Sequence, residues 1–259
     1  MRIVVPIKQT PDLAEELELN DDETDVDREF LKFVLSEWDD QAIEEALLVK
    51  EAAGGEVIVV GFGDPDIELS LYTAVAKGAD RAVNLTGLGE GWIDSHTRAA
   101  ALESWLSGQE VDLVLAGVQA VDDLDGQLPP LLAAMLGWPH AGVVIGVEGK
   151  DNTVVVSQEF GGGKATRLEV KLPAVVGVQA ARQPPRYASI TRIRQAQQAG
   201  GIEEVAVSPP SQTPGIDAGI TVRRLFAPEK TGHAEMLTGS PEDVADRILD
   251  LIRSKGLLK

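Results

Sequence analysis

Side chains suited to binding, rather than to catalysis, are concentrated in one short loop near the middle of the chain. They are Gln119, Asp122, Asp123, Asp125 and Gln127. Carboxylate oxygens accept hydrogen bonds from ribose hydroxyls, and Asp also caps helices. Three carboxylates argue against a site for a bare phosphate, and the spacing matches neither the glycine-rich dinucleotide fingerprint nor a P-loop. The loop is therefore either a nucleotide site or an ordinary connection between a strand and a helix.

The elements on either side of this loop place it where ligands bind. Residues 111–116 form a short, nearly continuous apolar run, which is typical of a strand buried on both faces of a parallel sheet. Gly117 breaks that run, and apolar residues recur at helical spacing from about Pro129 until Gly137. Open α/β sheets bind ligands at the carboxyl ends of their strands, and a helix N-terminus attracts anions.

Signatures of catalysis and of metal binding are missing from the sequence. There is no Cys, which excludes disulfides, thiolate chemistry and Cys-ligated clusters. The three His, at positions 96, 140 and 233, are not at ligand spacing, and no Gly-x-Ser-x-Gly elbow occurs. We therefore predict no catalytic residue and no metal site, and a carrier or binding role rather than a hydrolase.

Composition restricts the partners and the location of the protein. The 259 residues include 42 acids and 23 bases, which gives a net charge of −19 and argues against nucleic acid or an anionic membrane as partner. No apolar run approaches the roughly 18 residues that span a bilayer. The N-terminal residues enter a strand directly, without a signal peptide. We expect a cytoplasmic protein that does not insert into membranes.

The order of predicted elements indicates an α/β fold with a doubly wound, mostly parallel, Rossmann-like sheet. Strands at 2–7, 56–62, 82–85 and 111–116 alternate with helices, which is typical of such sheets. Three strands at 143–147, 153–158 and 165–171 predict an appended β-hairpin region. We expect one α/β domain over residues 1–206. A Pro-rich linker and a C-terminal arm then follow over 207–259, with a strand at 220–226 and a helix from Ser240.

A basic segment interrupts this acidic chain. Residues 172–202 contain Arg182, Arg186, Arg192 and Arg194 but no acid. Such a segment is either a contact surface for a partner or a basic loop that pairs with acids elsewhere in the same molecule.

Five segments together resemble the electron-transfer flavoprotein β subunit family. They are V-V-P-I-K-Q-T-P-D near the N-terminus, A-I-E-E-A-L-L-V-K-E at 42–51, A-K-G-A-D-R-A at 76–82, G-V-Q-A-V-D-D-L-D-G-Q with L-G-W-P at 117–139, and P-P-R-Y-A-S-I at 184–190. Each segment alone is weak, but their shared order and spacing over residues 1–200 is specific.

The resemblance implies an electron carrier that is half of a heterodimer. In this family an α subunit holds most of the redox FAD, and the β subunit buries an adenine nucleotide, usually AMP. The assembly takes electrons from acyl-CoA or similar dehydrogenases and passes them to a quinone reductase or another acceptor. The matching nucleotide-binding positions are Ile7, Lys8, Gln9, Ser36, Gly117, Gln119, Ala120, Val121, Asp122, Asp123 and Gln127.

The resemblance also assigns contacts with protein partners. Leu13 and Trp38 match positions close to the flavin of the α subunit, although Trp38 also fits a core aromatic at a helix start. Residues 184–193 match the loop that docks on the dehydrogenase, with Ile190 as its apolar anchor. The contact residues are Arg186, Tyr187, Ile190, Arg192 and Arg194. The C-terminal arm embraces the α subunit.

Several alternatives stay open at the level of sequence. AMP-binding members have a Thr-Gly pair after the glutamine, whereas Gln127 is followed here by Leu128, Pro129 and Pro130. Electron-bifurcating members, which carry a second FAD in this pocket, also have an apolar residue and a nearby Pro. Both AMP and a second FAD are therefore candidates. Two further alternatives are a stand-alone stress-type regulatory protein and a nucleotide-hydrolysing or adenylating enzyme, although K-Q-T-P-D is not a phosphate loop.

Overall fold

The computed structural model describes residues 1–29, 31–64, 66–88, 92–123, 125–207, 222–227 and 234–257. The strands are β1 (Arg2–Pro6), β2 (Gln9–Pro11), β3 (Phe33–Leu35), β4 (Glu56–Gly61), β5 (Arg81–Thr86), β6 (Leu113–Gly117), β7 (His140–Lys150), β8 (Thr153–Phe160), β9 (Lys164–Lys171), β10 (Ala174–Val178) and β11 (Ile202–Ala206). The helices are α1 (Glu37–Ala53), α2 (Ile67–Lys77), α3 (Ser95–Leu106), α4 (Leu128–Leu136), α5 (Ile190–Ala199) and α6 (Pro241–Ser254).

Nine strands form one sheet in the order β11-β5-β4-β1-β6-β10-β7-β8-β9. The first seven strands of that order are parallel, and β8 and β9 continue the sheet as antiparallel hairpins. The chain leaves β1 through α1 to reach β4 on one side, whereas β6 lies on the other side. The sheet therefore has its topological switch point between β1 and β6.

Helices cover both faces of the sheet, because successive residues of its central strands point to opposite faces and both sets are apolar. Ile3 and Val5 of β1 pack in one core with Ile43 and Leu47 of α1, a core that α2 shares. Val4, between them, points to the opposite core with α3 and α4. Full burial of each such side chain stabilises the fold by about 1.5–3 kcal/mol. The predicted doubly wound, mostly parallel α/β sheet with appended hairpins is confirmed.

Two elements and one strand differ from the sequence-based expectation. Helix α5 and strand β11, which pairs with β5 at the edge of the sheet, were not predicted. The strand expected at 220–226 is wrong for residues 222–226, which have no regular structure, while 220 and 221 lie outside the described residues. The acidic stretch after Asp12 contains an antiparallel bridge from Leu19 to Val26, so it folds back as a hairpin.

The chain divides into two compact units, Met1–Leu225 and Phe226–Lys259. In the second unit, α6 has Ser240 as its N-cap and a reciprocal capping box with Asp243, which explains where the predicted helix begins. The domain boundary at 206/207 stays a prediction, and the prolines of the expected linker (209, 210 and 214) lie outside the described residues. None of the helices in the described ranges is long and apolar enough to cross a bilayer.

Candidate functional site

A cleft opens at the switch point of the sheet, where β1 and β6 end. It contains about 370 Å³ of empty space, including its open mouth. The ends of β1, β4 and β6, the N-terminal turns of α1, α3 and α4, and the loop after β6 form its walls. Strand ends and helix N-termini meet here because each crossover starts at this edge, so the cleft occupies the usual ligand position of a doubly wound sheet.

Gly117 allows two parts of the cleft wall to touch. A Cβ atom on Gly117 would lie 2.4 Å from Oδ1 of Asp39 and 2.9 Å from the Cβ of Trp38. Only a glycine at the end of β6 therefore lets the first turn of α1 pack directly on the strand. The other oxygen of Asp39 accepts a hydrogen bond from the Lys8 backbone N–H at 2.9 Å. These contacts fix the N-terminus of α1 between β1 and β6.

Two of the three loop aspartates bind a lysine of the same chain. Nζ of Lys8, with its side chain only 8% exposed, lies 2.6 Å from Asp122 and 2.7 Å from Asp123. Asp123 also accepts from the Ala120 backbone N–H at 3.0 Å. These carboxylates are therefore occupied by internal partners, and their first role is to hold the loop against β1.

The third aspartate holds the far end of the loop. Asp125 accepts hydrogen bonds from Oγ of Ser95 at 3.1 Å and from the Gln127 backbone N–H at 3.0 Å. Within the ranges that the structure describes, the side-chain amides of Gln119 and Gln127 have no hydrogen-bond partner, and both residues line the cleft. An amide offers both a donor and an acceptor, so these two groups are available to a ligand.

The carboxyl group of Asp39 is buried in the wall of the cleft. Burial raises the pKa of Asp39 from its usual 3.8 to about 7, against the lowering effect of the Lys8 N–H hydrogen bond and of the charge on Lys8. Desolvation dominates because the side chain is enclosed between α1 and β6. Asp39 therefore exchanges a proton near neutral pH.

The structure brings together seven of the residues predicted for the nucleotide site. Those lining the cleft are Ile7, Lys8, Gly117, Gln119, Ala120, Asp123 and Gln127. Gln9 lies under α2, where its amide donates to Ser70, and Ser36 is buried directly before α1. Val121, Asp122 and Leu13 line a neighbouring cavity. Trp38 contacts the end of β6 and is half-buried.

Sequence reasoning missed several further lining residues. Among them are Pro6, Asp39, Phe62, Ser95, Arg98 and Val118. Arg98 is buried, forms a bidentate pair with Asp64 (2.9 and 3.2 Å), and lies 5.1 Å from the centre of the Phe62 ring. Pro6 and Phe62 are detectable in principle, because they mark the ends of strands β1 and β4, which lie side by side at the switch point.

Helix α4 presents few backbone donors to the cleft. It begins at Leu128, with Pro129 and Pro130 in its first turn. Proline has no N–H, so two of the free donors that usually attract an anion are absent from this helix start. Binding at the cleft consequently depends on side chains and on the backbone of the loop before α4.

The basic segment after β10 is held against α1 by its first two arginines. Nε of Arg182 lies 2.8 Å from Glu45, and NH2 of Arg186 lies 2.9 Å from Glu44. The hydrogen bonds that Arg186 donates to Glu44 and Glu51 raise the pKa of its guanidinium well above the ordinary value. For these two arginines, pairing with acids of the same molecule is the interpretation that the structure supports.

Beyond Arg186 the chain turns outward. Tyr187 is 81% exposed and Ile190 is 63% exposed. Ile190 is the first residue of α5 rather than part of a loop, and Ser189 caps that helix by accepting from the Arg192 N–H at 3.3 Å. Arg192 and Arg194 are exposed on α5 and form no ion pair with any described residue. We call residues 180–194 the docking segment.

The chemistry of the described residues is that of binding. No group of three or more His, Cys, Asp or Glu side chains in these ranges is arranged to hold a metal ion. The carboxylates of the cleft are engaged with Lys8, Ser95 or backbone N–H groups. What remains for a ligand is a pair of neutral amides and the backbone at the strand ends.

Comparisons with known proteins agree with this arrangement. A model of the electron transfer flavoprotein domain matches residues 25–210. Electron transfer flavoprotein subunit beta of Methylophilus methylotrophus is 36% identical over 97% of this chain and 98% of that protein. The namesake subunit of Bradyrhizobium diazoefficiens is 29% identical, and caffeyl-CoA reductase-Etf complex subunit CarD of Acetobacterium woodii is 31% identical, each over 100% of both chains. The chain therefore belongs to the electron transfer flavoprotein β subunit family.

Proposed function

We propose that this chain is the β half of a heterodimeric electron carrier, in which an α subunit holds the redox FAD. The carrier takes electrons from dehydrogenases of the acyl-CoA dehydrogenase type and delivers them to a quinone reductase or another acceptor. Family membership supports the electron-carrier role, and the presence of a binding cleft without catalytic side chains agrees with it. The chain itself supplies binding and docking surfaces.

In this proposal the cleft between β1 and β6 binds an adenine nucleotide. The observation that carries the assignment is the pair of unengaged amides, Gln119 and Gln127, in a cleft whose charged groups are already paired. Adenine and ribose offer neutral donors and acceptors, which match amides and strand-end backbone. A ligand bound mainly through phosphate would instead need free cations or backbone donors.

AMP and a second FAD are the two candidate nucleotides. The prolines at 129 and 130 remove backbone donors that would hold the phosphate of AMP, which weakens the AMP assignment. The similarity to CarD, a subunit of a caffeyl-CoA reductase-Etf complex, points in the same direction. The similarity to subunits named only as electron transfer flavoproteins favours the simple carrier with AMP.

Cofactor extraction from the purified heterodimer tests the proposal. The chain is co-expressed with the α subunit of the same source, and the bound nucleotides are released by denaturation and quantified. One FAD and one AMP per heterodimer identify a simple carrier, and two FAD identify a bifurcating assembly. A heterodimer with a single FAD and no second nucleotide would refute the assignment of the cleft, and a flavin-independent monomer would refute the carrier role.

In this proposal, helix α6 of this chain binds the α subunit. Its apolar side chains recur at helical spacing, and Ile248 (44%) and Leu251 (60%) are exposed within their unit. Deleting residues 240–259 should abolish or weaken assembly, measured by co-purification, while the circular dichroism of the remaining chain stays that of a folded α/β protein. Undiminished assembly of the truncated chain would rule out this role for α6.

A further inference from the structure

Helix α1 carries two carboxylates that are almost completely removed from solvent. Glu44 is 2% exposed and Glu45 is not exposed. Moving a charge into the protein interior costs several kcal/mol unless partners compensate for it. Acids are abundant in this chain, but most of them lie on its surface, so the burial of these two requires a physical reason.

Glu45 connects the sheet with the beginning of the docking segment. Its Oε1 accepts from the Val147 N–H of β7 at 2.6 Å and from Nε of Arg182 at 2.8 Å. Its Oε2 accepts from the backbone N–H of the same arginine at 2.9 Å. Gln41, one turn earlier on α1, accepts from the Ala181 N–H at 2.9 Å. The backbone of 181–182 is therefore attached to α1 at successive positions.

Glu44 repeats this arrangement at the next arginine. Its Oε2 accepts from the Arg186 backbone N–H at 2.8 Å, and its Oε1 accepts from NH2 of Arg186 at 2.9 Å. The exposed Glu51 adds a bond from NH1 of Arg186 at 2.6 Å. Each buried carboxylate thus binds both the guanidinium and the backbone N–H of one arginine, which restrains the position of the chain as well as the side chain.

We propose that Glu44 and Glu45 are positioning residues for electron transfer from the donor dehydrogenase. By fixing residues 181–186 on α1, they set the position of the backbone directly before Tyr187 and Ile190, and so help to determine where these two side chains are presented. This role depends on the proposed docking function of Ile190.

The form of the attachment favours positioning over stability alone. Replacing a buried ion pair by apolar side chains of similar volume is often neutral or stabilising, so stability does not require charges here. Hydrogen bonds from a carboxylate to a particular backbone N–H do require one geometry. In the segment that follows, α5 packs beside α2 but buries none of its residues completely, so α1 supplies the fully buried polar attachment.

The test uses the complete heterodimer, with Glu44→Gln as the main variant and Glu51→Gln as its matched control. Both variants remove one negative charge next to Arg186, but only Glu44 binds the backbone N–H. An acyl-CoA dehydrogenase with its acyl-CoA serves as donor, and the KM for the heterodimer and kcat are measured separately. Amide hydrogen exchange of peptides covering 180–190 is measured on the same samples.

Glu44→Gln should raise the KM roughly tenfold and leave kcat within about twofold, since one charge-assisted hydrogen bond is lost. Exchange in 180–190 should accelerate, and Glu51→Gln should change the KM by less than about twofold. Unchanged exchange, or accelerated exchange with an unchanged KM, overturns the proposal. An equal effect of both variants also overturns it, because charge alone would then explain the result.

A second variant covers the case in which Glu44→Gln fails to fold. Glu44→Gln combined with Arg186→Gln leaves no buried unpaired charge, because the Glu51 that loses its partner is exposed, and the variant should fold with a raised KM. A double variant with normal KM overturns the positioning role. Ile190→Ala in the same assay separates the two proposals. If Ile190→Ala leaves the KM unchanged, the docking role of Ile190 is refuted. If Ile190→Ala raises the KM but the Glu44 variants do not, only the positioning role of Glu44 is refuted.

Discussion

The cleft between β1 and β6 and the docking segment both contain clustered charges, and in both some of these charges pair within the protein. In the cleft, Asp122 and Asp123 bind Lys8. In the docking segment, Arg182 and Arg186 bind Glu45 and Glu44. The cleft leaves two neutral amides for a ligand, whereas the docking segment exposes Tyr187 and Ile190 together with Arg192 and Arg194.

The two regions differ in how tightly their backbones are packed. At the cleft, Gly117 lies against a carboxylate and the Cβ of the neighbouring helix. At the docking segment, the corresponding close approach is between Gly146 of β7 and the flexible stem of Arg182, whose Cγ would lie 2.9 Å from an added Cβ. An added methyl group would therefore meet the neighbouring helix at Gly117 but only a side-chain stem at Gly146, although carboxylates hold backbone N–H groups in both regions.

Adding one methyl group to each region should give the largest contrast. Gly117→Ala forces Asp39 and Trp38 away from β6 and should lower the free energy of unfolding by about 3 kcal/mol. Gly146→Ala displaces only the Arg182 stem and should cost about 1 kcal/mol. Urea unfolding of both variants at one pH measures the difference. Equal losses would show that the cleft is no more tightly packed than the docking segment.

Removing the exposed anchor should act on only one region. Ile190→Ala should raise the KM for the donor dehydrogenase roughly thirtyfold, because it removes a central apolar contact. This change corresponds to a loss of about 2 kcal/mol of binding free energy. The nucleotide content should stay unchanged. Thr191→Ala, at the neighbouring exposed position, is the control. Unaltered donor kinetics in Ile190→Ala would remove this residue from the docking surface.

Removing an amide from the cleft should give the reciprocal result. Gln127→Leu should lower the affinity for the nucleotide roughly tenfold, since a neutral hydrogen bond contributes about 0.5–1.5 kcal/mol. The KM for the donor should not change. Titration calorimetry with the nucleotide-depleted heterodimer provides the measurement, with Gln195→Leu on α5 as control. Full nucleotide affinity in Gln127→Leu would contradict the role of this amide.

The smallest effect is a pH dependence that belongs to the cleft alone. Asp39 has a pKa of about 7 in the folded protein and 3.8 otherwise, so the folded state holds a proton that the unfolded state releases. Its contribution to stability is present below pH 3.8 and is lost as the pH rises to about 7. Asp39→Asn should remove that loss. Between pH 5 and 6, the free energy of unfolding of the wild type should therefore fall by about 1 kcal/mol relative to that of the variant. The same difference in unfolding free energy between wild type and Asp39→Asn at pH 5 and at pH 6 would contradict the raised pKa.

The architecture was predictable from the sequence because its signals are local. The apolar run before Gly117, the helix ended by Gly137 and the alternation of strands with helices all lie within short windows. Helix α5 escaped prediction because it is short and mostly polar, with none of its residues fully buried. Strand β11 is a short edge strand with two glutamates, which resembles a loop.

The roles of the charged residues were harder to predict because their partners are distant in sequence. Arg186 and Glu44 are 142 positions apart, and Lys8 and Asp123 are 115 apart. A single sequence shows that charges exist, but not which of them meet in the folded chain. Arg98 was missed for the same reason, since its helix enters the cleft only through the crossing order of the sheet.

Helix α1 touches both regions, which limits how the length of this part of the chain can vary. Asp39 faces the cleft and Glu44 and Glu45 face the docking segment, so the residues between them act as a spacer of fixed length and phase. One inserted residue would turn the second group by about 100° relative to the first. Insertions and deletions among relatives should therefore be absent between Asp39 and Glu45 and should collect beyond Glu51, where the helix ends at Gly54.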